Sequence, residues 1–392
     1  MGLTSLRTPR VSPWIDRAHP ETRADPRFPF ARDRDRILHS ASFRQLQYKT
    51  QVYIVSDGDY YRTRITHSLE VSQLSRSLAR SLRLDEDLAE SIALAHDVGH
   101  TPFGHAGEQE LEQLLQGAGG WNSNLHSLTV VDTLEFESPG YRGLNLTFAT
   151  RQGIARHHTP FDQPDTDFDD DPQPTLEAQA VNVADLLAYV AHDTEDAVVG
   201  GLLRLEQLEE GGDPALCLWR ESLRGAREEF RQAGLEVGAE AQRRLLQRAR
   251  RHFINTAVRE VCRASSEAIA ASGATTHDAA VYQDQPLVRL PEERGNEFRL
   301  LAEYLLANVY RSPVVARQNH RERHVLRSVF EALIQQETLL PAHHRARLSG
   351  VTGAGGRLRV VAEFVASLSD HALQDLYAEL FDPRERTMVR RM

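Results

Sequence analysis

Apolar and polar positions alternate along this chain with a helical period almost throughout. Apolar residues recur three and four positions apart, with charged faces between them, near 62–83, 87–99, 104–117, 124–137, 176–200, 214–272, 296–311, 318–337 and 357–381. Strand signals are few. Val52-Tyr53-Ile54-Val55 followed by Asp57-Gly58-Asp59 predicts one short strand and turn, too little to organise a sheet-based core. The expected class is all-α.

Four breaks interrupt the pattern: a Pro-rich N-terminus to residue 30, the acidic run Gln163–Pro172, Glu209–Pro214, and Gly350–Gly356. The acidic run repels itself and has almost nothing to bury, so it is expected to be a mobile loop that could gate a pocket. No repeat of solenoid period is visible. The division expected along the chain is an N-terminal extension (1–30), a core (31–200) and a helical C-terminal region (201–392).

A chain of 392 residues can bury a large core. It has no run of about 18 uninterrupted apolar residues, and charges and prolines stand where a signal peptide needs an apolar stretch. The expectation is a soluble, cytoplasmic protein with no membrane partner. The cysteines are Cys217 and Cys262, both on apolar-patterned segments, so a disulfide framework is not expected and any metal must use nitrogen and oxygen ligands. The formal charge of -10 argues against simple polyanion binding but leaves room for a local basic pocket. Basicity rests on Arg with one exception, Lys49, whose compact ammonium would suit a point contact to phosphate.

The candidate chemistry is concentrated after the apolar run Leu88–Ala95, which reads as a buried helix. His96-Asp97-Val98-Gly99-His100 and then Pro102-Phe103-Gly104-His105 place three imidazoles and a carboxylate together, a cluster able to hold a divalent cation. His67 lies upstream on another helical stretch. A distant ligand is best sought in Ala184–Asp193, where Asp185, Tyr189 and Asp193 fall at i, i+4 and i+8 and so share one face of a helix that is otherwise apolar. Buried polar groups of this kind need partners. His192-Asp193 is a second adjacent His-Asp pair, and spacing alone leaves open which pair ligates.

Taken together, Arg62–Val71, Ala93–Glu108 and Ala184-Asp185 with Tyr189 and Asp193 resemble the HD-superfamily deoxyguanosinetriphosphate triphosphohydrolases, the bacterial dNTPases. Arg32–Ser40, Phe43–Leu46, Lys49–Val52, Gly143–Thr147 and Asn308–Pro313 extend the likeness to nearly the whole chain. The resemblance implies an all-helical HD fold with additional helices, and cleavage of a deoxynucleoside triphosphate into deoxynucleoside and inorganic triphosphate. It implies metal ligands His67, His96, Asp97 and Asp185, with Asp193 left to the substrate. It implies Mn²⁺ or Mg²⁺ as the cation, with Fe²⁺ compatible.

By the same likeness His105 and Glu108 do acid–base work beside the α-phosphate, His100 adds a phosphate contact, and Arg64 contacts the α-phosphate. Gln51, Tyr189 and Asp193 surround the sugar, the Tyr189 ring standing where a 2′ hydroxyl would sit, and Tyr310 stacks on the base. A homo-oligomer, a hexamer by the family's habit, is expected; an allosteric nucleotide and a single-stranded DNA effector are further partners it allows. The 214–272 region, rich in Arg and Glu, is expected to pack against neighbours or a second subunit.

One departure stands out. Where many members read Glu-His-Asn, this chain reads Asn122-Ser123-Asn124, with His126 one helical turn on. Two other readings remain open: an HD phosphohydrolase acting on a nucleoside monophosphate or a guanosine tetraphosphate alarmone, and a regulator that holds nucleotide or single-stranded DNA without turnover.

Overall fold

The computed structural model describes residues 6–21, 25–51, 62–136, 138–158, 168–235 and 238–384. Among them lie 17 α-helices and no strand, only isolated bridges such as Thr50 with Thr63, so the all-α expectation is met. The strand and turn expected at 52–59 and the first half of the acidic run, 163–167, lie outside the described residues. No described helix is long and apolar enough to cross a membrane.

The chain forms two compact units. The first comprises residues 1–35, 67–94 and 146–315, and the second residues 36–66, 95–145 and 316–392.

Helix Leu176–Val199 is central to the first unit. Its alanines at 180, 184, 188 and 191 are fully buried, and small side chains let helices Phe148–Ala155, Ala239–Ser272 and Glu292–Leu305 pack against it. Thr175 caps its N-terminus, accepting from the amide of Ala178 at 3.2 Å, a contact that stabilises a helix by about 1 kcal/mol. The N-terminal segment is tied to the same helix: the amide and hydroxyl of Thr8 donate to the buried Glu177 carboxylate at 3.1 and 2.7 Å.

The 214–272 region is a hairpin, Cys217–Gln232 folded against Ala239–Ser272. The chain turns at Gly234, whose φ of 67° is the left-handed conformation that glycine adopts without a Cβ clash.

The core of the second unit is an apolar cluster in which Leu111 and Leu115 meet Leu326, Val329, Phe330, Val361, Val365 and Leu373. Each such side chain contributes roughly 1.5–3 kcal/mol on burial. Helix Gly104–Leu114 is thereby fixed beside helices Gly353–Ala366 and Asp370–Phe381, and it carries the buried Glu110, paired with Arg323 at 2.7 Å and with Arg327. That packing sets where the candidate catalytic loop enters its helix.

Candidate active site

In the first unit His67 and Asp185 come together, one from helix Arg64–Leu82 and one from helix Leu176–Val199. His67 Nε2 lies 2.8 Å from Asp185 Oδ1, and both side chains are buried. A third group joins them that the sequence reading did not single out. His157, just past helix Phe148–Ala155, places Nε2 3.2 Å from Asp185 Oδ2 and is only 2% exposed. The available signal was the adjacent pair His157-His158 at a helix end, between the His-Asp motif and Asp185. A buried carboxylate needs polar partners, and the two imidazoles supply one to each of its oxygens.

The two side chains of the second pair point apart, since adjacent helix positions diverge by about 100°. His192 Nε2 sits 2.8 Å from Glu70 Oε2, with Arg250 on the other Glu70 oxygen at 3.2 Å, and its ring meets that of His67 edge-on at 6.4 Å. Asp193 faces elsewhere and accepts a hydrogen bond from the Tyr310 hydroxyl. Tyr310 in turn stacks on Tyr189 with ring centroids 6.3 Å apart. Burial and the Asp193 charge push the Tyr310 phenol well above its ordinary pKa, so it stays a donor. Tyr310 ends a π-helical turn, Leu306–Tyr310, which shifts its register relative to the preceding helix.

In the second unit the loop after helix Glu86–Ala95 carries His96, Asp97 and His100, all buried. Arg64 Nη1 donates to Asp97 Oδ1 at 3.0 Å, while His100 Nδ1 and His96 Nε2 lie 3.1 and 3.5 Å from the same oxygen. Arg64 is 2% exposed, so a surface role is excluded and its positive charge stands beside the candidate ligand.

The loop is held from several directions. Gly99 packs so closely on helix Ser123–Thr129 that a Cβ would lie 2.2 Å from the Ser127 amide nitrogen, and the Gly99 amide donates to Ser127 Oγ at 2.9 Å. Phe103 is left-handed at φ 64°, a conformation that costs a non-glycine residue about 1–2 kcal/mol. The buried Asp370 offsets that strain: Oδ1 accepts the Phe103 amide at 2.9 Å, and Oδ2 accepts the amide and hydroxyl of Thr50 at 2.8 and 2.5 Å. Asp370 lies 320 residues from Thr50, and no local pattern could have marked it.

Lys49 belongs to this scaffold. Its Nζ donates to the carbonyls of His100 at 2.6 Å and Ala366 at 2.8 Å, so the ammonium expected on phosphate is committed to backbone oxygens. Burial, helped by the nearby Arg64 charge, pushes its pKa down to about 7 against the opposing pull of Asp370 and Asp97. Next to it, Gln51 has a buried side-chain Oε1 without a hydrogen-bond partner, an acceptor that a ligand hydroxyl would satisfy.

Beyond Phe103 the chain enters helix Gly104–Leu114, which presents His105 and Glu108 one turn apart. His105 Nδ1 lies 3.6 Å from Glu108 Oε2, and Ser123 Oγ donates to Glu108 Oε1 at 2.5 Å. Burial pushes the Glu108 carboxyl up, yet the His105 contact, the charges of His100 and His105 and the Ser123 hydroxyl bring it well below the usual carboxylate range. His126 keeps Nδ1 2.7 Å from the Gly99 carbonyl, and burial drives its pKa down to about 3.

Residues 64–190 match the HD domain, and residues 288–379 match the phosphohydrolase-associated domain. Over 372 residues the chain is 42% identical to the deoxyguanosinetriphosphate triphosphohydrolase-like protein of Syntrophus aciditrophicus, covering 94% of this chain and 91% of that one. The similarly named protein of Geobacter sulfurreducens is 40% identical over 373 residues, 94% of this chain and 93% of its own. That of Wolinella succinogenes is 40% identical over 369 residues, 91% and 96%.

Proposed function

This chain belongs to the HD-domain family of deoxyguanosinetriphosphate triphosphohydrolase-like proteins, a metal-dependent phosphohydrolase lineage, and we propose that it cleaves deoxynucleoside triphosphates to deoxynucleoside and inorganic triphosphate. The observation that carries the reading is the state of the motif side chains: His67 against Asp185, and Asp97 against Arg64 and His100, all buried within the matched HD segment. On this reading His67, His96, Asp97 and Asp185 hold one divalent cation, Mn²⁺ or Mg²⁺, with Fe²⁺ also compatible with the donors. When bound, such a cation polarises a phosphoryl oxygen and lowers the pKa of a coordinated water.

The remaining chemistry falls to this chain's own residues. Water attacks the α-phosphorus, the bond from phosphorus to the 5′ oxygen breaks, and triphosphate leaves intact. Arg64 and His100 face the α-phosphoryl group and offset its developing charge. His105 moves a proton to the departing 5′ oxygen or from the water, with Glu108 holding the imidazole. Asp193 and Gln51 take the 3′ hydroxyl, and the Tyr189 ring excludes a 2′ hydroxyl. Tyr310 supports this arrangement through its contacts with Asp193 and Tyr189. On this reading the C-terminal region 201–392 contributes Tyr310 to the pocket of a core spanning 31–200.

The test is direct. Metal-loaded protein is incubated with each of the four dNTPs and the ribonucleotides, and products are resolved by anion exchange. Triphosphate and deoxynucleoside in equal amounts are expected; orthophosphate, pyrophosphate or no turnover overturns the reading. We further expect a cytoplasmic homo-oligomer, hexameric by family habit and open to a nucleotide or single-stranded DNA effector, which light scattering with and without each ligand checks.

A further inference from the structure

We propose that Ser123 is a positioning residue for the Glu108–His105 pair, its hydroxyl fixing the carboxylate so that the other oxygen serves the imidazole. The proposal rests on the reading of His105 and Glu108 as the acid–base pair.

The argument begins with what Ser123 does not do. It is the first residue of helix Ser123–Thr129, but the helix is capped by Asn122, whose side chain accepts the Leu125 amide at 2.9 Å. The Ser123 hydroxyl is therefore available for another acceptor, and it donates to Glu108 Oε1 at 2.5 Å. Ser123 is 2% exposed, so bulk water does not compete effectively for that bond.

The consequence for Glu108 is a division of labour between its two oxygens. Oε1 is held by Ser123 from a different helix, and Oε2 faces His105 Nδ1 at 3.6 Å. A carboxylate on a flexible side chain otherwise rotates and spreads its charge over several orientations. A hydrogen bond to a charged acceptor is among the stronger neutral-donor contacts, and it favours the ionised form. Ser123 thus aims Glu108 and adds to the His105 and His100 interactions that hold it anionic, and an aimed anion stabilises the imidazolium state of His105.

The neighbouring groups do not duplicate this function. His126, one turn along, is committed through Nδ1 to the Gly99 carbonyl and packs its ring on Trp121 at 4.5 Å. His100 contributes charge to Glu108 but places Nδ1 against Asp97. A hydroxyl also cannot exchange a proton at neutral pH as an imidazole does, so the Ser123 contribution is orientation and charge placement.

Three variants of the full-length metal-loaded protein test this: S123A, S123T and E108Q. Turnover is followed across pH, and the His105 titration is followed separately by NMR of histidine-labelled protein, assigned with H105Q. In S123A we expect kcat to fall about tenfold with KM unchanged, the loss set by one hydrogen bond to a charged group. The His105 titration and the limb of the pH profile that it sets both move to lower pH, whether His105 acts as acid or base. S123T, which retains the hydroxyl, restores both.

A fall in kcat with the His105 titration unmoved overturns the positioning role. So does S123A matching the parent in both readouts while E108Q is inactive, an outcome that leaves the acid–base pair standing. If E108Q also turns over normally, the pair itself is wrong and the proposal falls with it.

Discussion

The loop from His96 to His105 and the hairpin Cys217–Ser272 are both densely charged, yet their charges are held in opposite ways. In the loop, His96, Asp97 and His100 are buried and served from a distance: Lys49, Arg64 and Asp370 reach it from 33 to 267 residues away. In the hairpin several pairs lie on the wet surface, and two of them are short-range. Arg263 with Glu267 and Arg231 with Glu228 sit at i,i+4 and i,i+3 on exposed faces, above an apolar interior of Trp219, Phe253 and Phe298. The same residue types therefore build a buried loop in one place and a solvated surface in the other. Burial distinguishes them, because a charge out of water must be matched by groups fixed by the fold.

The sharpest way to break this contrast is at Asp185. D185A is expected to lower kcat/KM by about a thousandfold, the scale of a lost metal-mediated stabilisation of several kcal/mol, and to lower metal content in parallel. A variant that keeps both turnover and metal removes the basis for treating the buried carboxylates as special.

Next comes the scaffold of the loop. D370A strands the amides of Phe103 and Thr50 and releases a left-handed residue, so it is expected to destabilise the protein by roughly 3 kcal/mol, read as a lower urea midpoint at constant slope. The accompanying loss of kcat should exceed any change in KM, since the loop aims His105 and Glu108.

A third measurement uses pH. Glu322 is buried, and burial, with the Asp370 charge, raises its carboxyl to about 7 against the opposing Gln318 contact. The folded protein therefore binds a proton that the unfolded chain releases at the usual carboxylate pKa. Stability is lost as pH rises from about 4.5 to about 7 and does not return above it. E322Q should be more stable than the parent at pH 8 by roughly 1–3 kcal/mol and closely similar at pH 4, by scanning calorimetry.

The smallest effect belongs to the hairpin surface. R263A removes an exposed i,i+4 pair and is expected to change stability by less than about 0.5 kcal/mol, with turnover unchanged. A loss comparable to that of D370A would erase the distinction between the two regions.

Much of this was legible in the chain itself. The helical period gave the class and most element positions, and where it ran unbroken through 214–272 it missed the turn at Gly234, since one left-handed glycine barely perturbs periodicity. The i, i+4, i+8 spacing set Asp185, Tyr189 and Asp193 on one helical face, and the structure joins Tyr189 and Asp193 through Tyr310. Lys49 stands out by its rarity, yet composition reveals an unusual ammonium without revealing that the carbonyls of His100 and Ala366 surround it.

Local sequence fixes what depends on neighbours a turn apart: helix period, caps, and which side chains share a face. His157 on Asp185, Asp370 on Phe103 and Ser123 on Glu108 join residues from 15 to 267 positions apart. Such contacts exist only after packing has brought separate helices together, and it is packing that excludes the water which would otherwise satisfy those groups.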